Sequence, residues 1–175
     1  AAATEAVLPV EPAQTASGKH FLFSQGQAIL TRTWAPTQDS PGIRQTYDVR
    51  LVVPEGLTAV MSAEMLTPGG EPAEGGRAFR FRMRHPVPIY LMSLAVGDLV
   101  FGAVSARTGV WTEPTVLERG LYECADMEAM VRTVEALYGP YRWGRYDVLI
   151  LPPSFPYGGM ENPRLTFATP TILAG

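Results

Sequence analysis

The chain has one cysteine, Cys124, and two histidines, His20 and His85, in 175 residues. A single cysteine excludes an intrachain disulfide, so the fold does not depend on an oxidising compartment, a pattern that points toward a cytosolic home. His20 and His85 stand too far apart in sequence to lie one helical turn apart and face one metal ion. Long apolar runs are missing as well. The longest, Val148–Pro153 and Ile89–Val96, fall far short of the roughly 20 residues that a membrane-crossing helix needs. A formal charge of -3 leaves no basic footprint for nucleic acid. What remains, 46% hydrophobic with 18% charged residues, is the composition of a globular chain long enough to bury a core.

The most informative stretch lies near the end, at Pro152-Pro153-Ser154-Phe155-Pro156-Tyr157-Gly158-Gly159-Met160-Glu161-Asn162-Pro163. Paired glycines let one backbone pass close to another, because no Cβ blocks the approach. An extended Gly-Gly segment offers its N–H and C=O groups to an extended peptide, in the manner of strand addition at a sheet edge. Glu161 would then stand where that peptide ends, able to pair with a cationic amine. A tight turn carrying a solvated glutamate is the competing reading of the same letters.

A β-rich body precedes this stretch. Residues 1–19, rich in Ala, Pro and Thr without a period, read as a surface arm or linker. Residues 20–28 mix aromatics with Ser24, Gln25, Gly26 and Gln27 and suit an irregular segment wrapped by other structure. In 46–53, Tyr47, Val49, Leu51 and Val53 alternate with polar residues, and in 78–84, Phe79, Phe81 and Met83 alternate with Arg80, Arg82 and Arg84. That period of two predicts strands with one face on a core and the arginines in solvent. A weaker strand is expected within 57–66 and others within 100–106 and 110–111; His85–Pro88 is an extended connector. The run Ile89–Val96 fits a strand covered on both faces or a buried helix, and periodicity does not separate them.

The period changes after Pro114. Leu121, Cys124, Met127, Met130, Val131, Val134, Leu137 and Tyr138 recur at spacings of three and four, predicting an amphipathic helix stopped by Gly139-Pro140. Its apolar residues are expected to face the core, and Glu123, Asp126, Glu128 and Glu135 to be solvated. Cys124 reads as buried and inert. Tyr146–Leu151 is a buried strand that delivers the chain to the Gly-Gly stretch, and Leu165–Thr169 is a short strand after it.

Gly158-Gly159-Met160-Glu161-Asn162 resembles the G-x-M-E-N exopeptidase signature of the M1 zinc aminopeptidases. The flanks, Leu151–Tyr157 and Leu165–Gly175 (LTFATPTILAG), together with Phe21-Leu22-Phe23-Ser24-Gln25-Gly26-Gln27-Ala28, are similar to the leukotriene A4 hydrolase and aminopeptidase B branch of that family, and the likeness runs from about Ser17 to the end.

This resemblance implies a mixed, β-rich (α+β) fold. Residues 1–19 would be an arm, 20–97 the later half of a saddle-like amino-terminal β domain, and 98–175 the first part of a thermolysin-like zinc peptidase domain without its zinc-binding helices. It also implies that Glu161 and Gln27 hold the α-ammonium of a peptide with a free amino terminus. Ala28, Gly158 and Gly159 would shape the subsite, with Tyr157 and Met160 along the pocket for the first side chain; Asn162, within the same substrate-facing motif, is expected to fix the loop by hydrogen bonding to backbone rather than chiefly to touch the substrate. Arg164 departs from the small residue expected there; it either points away from Glu161 or competes with substrate for it. Zinc would belong to the complete enzyme, on an H-E-x-x-H helix expected shortly after Gly175. Residues before Ala1, where a leader would lie, are expected too. The chain alone is expected to bind no metal and to be inactive, its partners being the peptide and the remainder of the parent catalytic domain, with no nucleic acid and no membrane. The alternative is a self-contained β-rich peptide-binding or scaffold module without catalysis.

Overall fold

The computed structural model describes residues 5–153 and 158–173. Along the chain come β1 (Val7–Val10), β2 (Phe21–Ser24), β3 (Arg44–Val53), β4 (Thr58–Met61), β5 (Glu64–Met65), β6 (Glu71–Ala73), β7 (Gly76–Pro88), β8 (Leu94–Gly97), β9 (Val100–Ala103) and β10 (Thr108–Thr112). Helices α1 (Leu117–Glu123) and α2 (Met127–Tyr138) follow, then β11 (Tyr146–Ile150), β12 (Gly159–Met160) and β13 (Leu165–Ala168). The fold is mixed and β-rich, as expected. No helix among the described residues is long and apolar enough to cross a membrane.

Three sheets account for the strands. The first is antiparallel in the order β1-β2-β8-β4. The second is the long β3/β7 ribbon extended by β5, with β6 also on β7. Its register sets Tyr47 opposite Met83, Val49 opposite Phe81 and Leu51 opposite Phe79, so the apolar residues of both strands share one face. On the other face Asp48 lies opposite Arg82 and takes an ion pair from it at 2.6 Å, while Arg80 and Arg84 reach Glu71 and Glu64. The period of two therefore places every one of these side chains as the sequence predicts.

The third sheet runs β12-β13-β11-β10-β9. Its centre is parallel, with β10 beside β11 and β11 beside β13, and both outer pairs are antiparallel. Parallel neighbours need a crossover, and the two helices make it between β10 and β11. Gly120 lets α1 settle onto the sheet: a Cβ there would come within 2.8 Å of the Ile150 side chain. Two apolar clusters hold the sheets together. Phe79, Phe81, Met83 and Val87 of the ribbon meet Ala59, Met61 and Leu94 of the first sheet. On the opposite side of the first sheet, Val10, Phe21, Phe23, Val60 and Ala95 pack with Leu149, Met160, Leu165 and Phe167 of the third.

Several expectations need correction. Residues 5–19 are no free arm. Val7 and Val10 are buried, and the strand they form closes an edge of the first sheet. The Glu113 carboxylate accepts the N–H groups of Ala16 and Ser17 and the Ser17 hydroxyl at 2.9, 2.9 and 2.6 Å. Pro9 is tolerated because β1 is an edge strand. Phe21–Ser24 is a regular interior strand, not an irregular segment, because Phe21 and Phe23 are both core residues. Ile89–Val96 is neither one strand nor one helix: a 3-10 turn at Ile89–Leu91 precedes β8.

The single helix expected after Pro114 is two, broken at Cys124–Asp126, and its faces are turned. Met130, Val134, Leu137 and Tyr138 are exposed, while Glu128 and Glu135 face the protein and share Arg107. A guanidinium fixed beside the helix outcompetes the apolar stripe for the inward side. Gly139 caps α2 at φ +90°, and Pro140 follows as expected. Cys124 is half-buried, and burial raises its thiol above the ordinary value.

Candidate functional site

The Gly-Gly segment sits at the edge of the third sheet. Strand β12 pairs on one side with β13, Gly159 opposite Ala168 and Met160 opposite Phe167, and is the last strand in the sheet order. Its other side is therefore an open row of backbone groups among the described residues. Only glycine fits at 159, because a Cβ would stand 2.9 Å from the Phe167 carbonyl oxygen. From 159 to 162 burial alternates. Gly159 and Glu161 are exposed, and Met160 and Asn162 are buried. Met160 thereby anchors the edge in the apolar cluster with Phe21 and Phe23, which takes its side chain away from solvent. The Asn162 amide donates to the Leu165 carbonyl at 3.3 Å, and its own Oδ1 is buried without a partner among the described residues. Glu161 is left in solvent between two anchored residues. Tyr157 lies outside the described residues.

Gln27 and Ala28 occupy the turn that leaves β2. Both are exposed, and the peptide bond between them is cis. The turn is held from three directions. The Gln25 N–H donates to the Ala6 carbonyl at 2.8 Å, the Gln25 side-chain oxygen accepts the Gln27 N–H at 3.2 Å, and Gly26 packs against Tyr90. A Cβ at Gly26 would come within 2.9 Å of the Tyr90 carbonyl oxygen, so the close approach demands glycine. Tyr90 and Leu91 pack against the same cluster that holds Met160. The segments bearing Gln27 and Glu161 are thus rooted in one core, each with its polar side chain outward. Neither the Gln27 side-chain amide nor the Glu161 carboxylate has a hydrogen-bond or ion partner among the described residues.

Arg164 resolves the question that the sequence left open: it points away from Glu161. Its backbone sits at φ +70°, the left-handed region that non-glycine residues seldom enter. Its N–H donates to the Tyr141 hydroxyl at 2.9 Å, its carbonyl accepts the Asp147 N–H at 3.0 Å, and its guanidinium donates to the Trp143 carbonyl. Tyr141 packs edge-on against Tyr146 and tilted against Trp143. Burial pulls the Arg164 guanidinium below its ordinary value and pushes the Tyr141 phenol above its own. Arg164, Tyr141 and Trp143 together pin the turn that carries Glu161. Sequence reasoning missed the two aromatics, because their contact crosses more than twenty residues and follows no period.

Beneath the loop, Asp147 on β11 takes a bidentate pair from Arg145 at 2.9 and 3.0 Å. Burial raises its carboxyl above the ordinary value in spite of that cation. His20 and His85 are exposed. No group of three His, Cys, Asp or Glu side chains among the described residues could hold a metal ion. The donor groups of the described residues do not fit a zinc site.

No protein-family model matches the chain. It is 48% identical to mouse aminopeptidase B over 166 residues, which is 94% of this chain and 25% of that protein. It is 50% identical to Xenopus laevis leukotriene A-4 hydrolase over 164 residues, 93% of this chain and 27% of that protein. Among solved structures, a yeast LTA4 hydrolase in complex with bestatin matches 97% of the chain at 37% identity with a TM-score of 0.88, covering 26% of that chain. The chain spans about a quarter of the length of the relatives it matches.

Proposed function

The chain belongs to the M1 zinc aminopeptidase family, in the branch that holds leukotriene A4 hydrolase and aminopeptidase B, and from that premise we propose that it is the amine-recognition part of an enzyme that removes amino-terminal residues from peptides. The observation that carries this reading is an open edge strand running straight into an exposed carboxylate that is flanked by buried Met160 and Asn162. An extended peptide laid beside β12 meets the backbone groups of Gly158 and Gly159. Its leading ammonium then meets Glu161, and the Gln27 carbonyl accepts from the same nitrogen without adding charge. A carboxylate at that position sets the register, because only a chain whose amine lies one residue from the scissile bond pairs with it. Tyr157 and Ala28 complete the subsite. Met160 contributes its backbone, since its side chain belongs to the core.

On this reading residues 20–97 are part of the amino-terminal β domain and 98–175 the first part of the catalytic domain. Zinc and the groups that activate water lie in the remainder of the complete enzyme; the 175 residues alone bind no metal and turn nothing over. The buried base matters to the chemistry. Met160, Asn162 and Arg164 remove the freedom of the loop before substrate arrives, so little ordering is left to be done on binding.

The test is Glu161→Ala in the complete enzyme. Substrate binding buries the ammonium, and losing its partner costs about 2–5 kcal/mol. Hydrolysis of an aminoacyl anilide is expected to fall severely while zinc content stays unchanged. Near-normal rates would remove Glu161 from the site. A peptide-binding module without chemistry is separated by assay of the same complete chain: peptide binding without any turnover in the unsubstituted protein would favour it.

A further inference from the structure

Helix α2 lies on the protein by its acidic side. Arg107 donates to Glu128 at 3.1 Å and to Glu135 at 2.7 Å; the Ser105 hydroxyl adds a bond to Glu128 at 2.9 Å, and the Tyr141 N–H adds one to Glu135 at 2.8 Å. Only one flank of the apolar stripe, Met127 and Val131, turns inward. The other is open: Met130 is 62% exposed, Val134 54%, Leu137 70% and Tyr138 84%. Beside it runs a groove of about 930 Å³ whose lining includes Val148 and Tyr146 of β11, Trp143, and His85 at the end of the β3/β7 ribbon. A helix clasped so that its apolar flank faces outward over an apolar groove is half of an interface.

The occupant follows from length. The chain covers 25% of aminopeptidase B and 27% of leukotriene A-4 hydrolase. The same fold, at a TM-score of 0.88, is embedded in a solved chain of which it makes up 26%. Most of such a polypeptide must pack outside these residues. The groove gathers its lining from the ribbon, α2 and β11, so an element laid into it would lock all three together. We infer that the Met130–Val134–Leu137 flank and its groove are the seat for an apolar element of the remaining catalytic polypeptide, and that the Arg107 clasp presents the flank to it. This rests on the family relationship and is independent of the role assigned to Glu161.

Accessibility in the complete polypeptide tests it. In a Cys124→Ser background, thiol labelling of Val134→Cys is expected to be roughly tenfold slower or more than labelling of Ala136→Cys on the solvent side of the same helix. Hydroxyl-radical footprinting of the unsubstituted polypeptide reads Met130 directly, without a substitution that could disturb folding, and protection is expected there. Equal labelling rates, or oxidation of Met130 at the rate of a free methionine, would overturn the inference. So would protection that disappears on dilution, which would assign the flank to a second copy of the chain.

Discussion

Strand β7 and helix α2 both interleave charged with apolar residues, and the structure sorts the two in opposite senses. In β7 the arginines face water and Phe79, Phe81 and Met83 are buried. In α2 the carboxylates of Glu128 and Glu135 face the protein, with about a fifth of each exposed, while Met130 and Val134 stand in solvent. A strand in a ribbon has no choice, since its partner fixes which face meets the core and a slip of one residue would invert every side chain. A helix can roll. Its resting angle is decided by the strongest local partner, here a guanidinium anchored just before β10, and the apolar stripe has to wait for cover from elsewhere.

Four measurements would break or sharpen that contrast. The largest effect is expected within β7 itself. Phe81→Ala empties a core position and should cost about 3–5 kcal/mol by urea unfolding. The neighbouring Arg82→Ala loses one exposed ion pair, worth about 1 kcal/mol at most. Similar costs for the two would mean that the ribbon is not sided.

Next comes Arg107→Ala, which leaves Glu135 facing the protein without its guanidinium and Glu128 with Arg132 alone. Its melting temperature should fall clearly further than that of Arg82→Ala, and adding Glu128→Gln with Glu135→Gln should recover part of the loss. An unchanged melting temperature would show that the clasp does not set the helix angle.

The third is a pH titration. Hydrogen bonds from Arg107 hold Glu128 and Glu135 at about 2, against an ordinary 4.5. Groups with lowered folded values stabilise fully above pH 4.5 and lose that contribution as pH falls toward 2. Far-UV circular dichroism and exchange of the α2 amides should report loosening in that window, and exchange that stays flat through it would contradict the clasp. The smallest effect belongs to Asp147, where the sign is opposite. Burial raises its carboxyl above 3.8, so its protonation favours the fold; that contribution is fully present below pH 3.8 and is lost as pH rises through the raised value. Asp147→Asn should flatten this slight slope and leave the α2 transition in place.

The site shows the same division between what is periodic and what is not. The letters alone left Gly159 and Glu161 divided between a docking edge and a turn with a solvated glutamate, and Gln27 was singled out only through the family resemblance; the structure puts Gly159 on an edge strand and leaves Glu161 and Gln27 exposed. Asn162 was legible as a residue that bonds backbone, and it donates to the Leu165 carbonyl. Arg164 was visible only as a departure. Its direction depends on Tyr141 and Trp143, which no local pattern connects to it. The Val7–Val10 strand was hidden for a related reason: four residues in an Ala- and Pro-rich stretch carry no measurable period, and burial against Phe21 and Phe23 makes them a strand.

By itself the sequence determined the β-rich class, the sidedness of β3 and β7, the stop at Gly139-Pro140 and the family likeness, because each rests on period, backbone chemistry or a short motif read within one segment. Tertiary structure alone decided that β12 is an edge, that Arg164 turns away from Glu161 and that α2 shows its apolar flank to solvent. Each of those depends on which partner wins a side chain or a backbone edge, and the partners come from segments far apart along the chain.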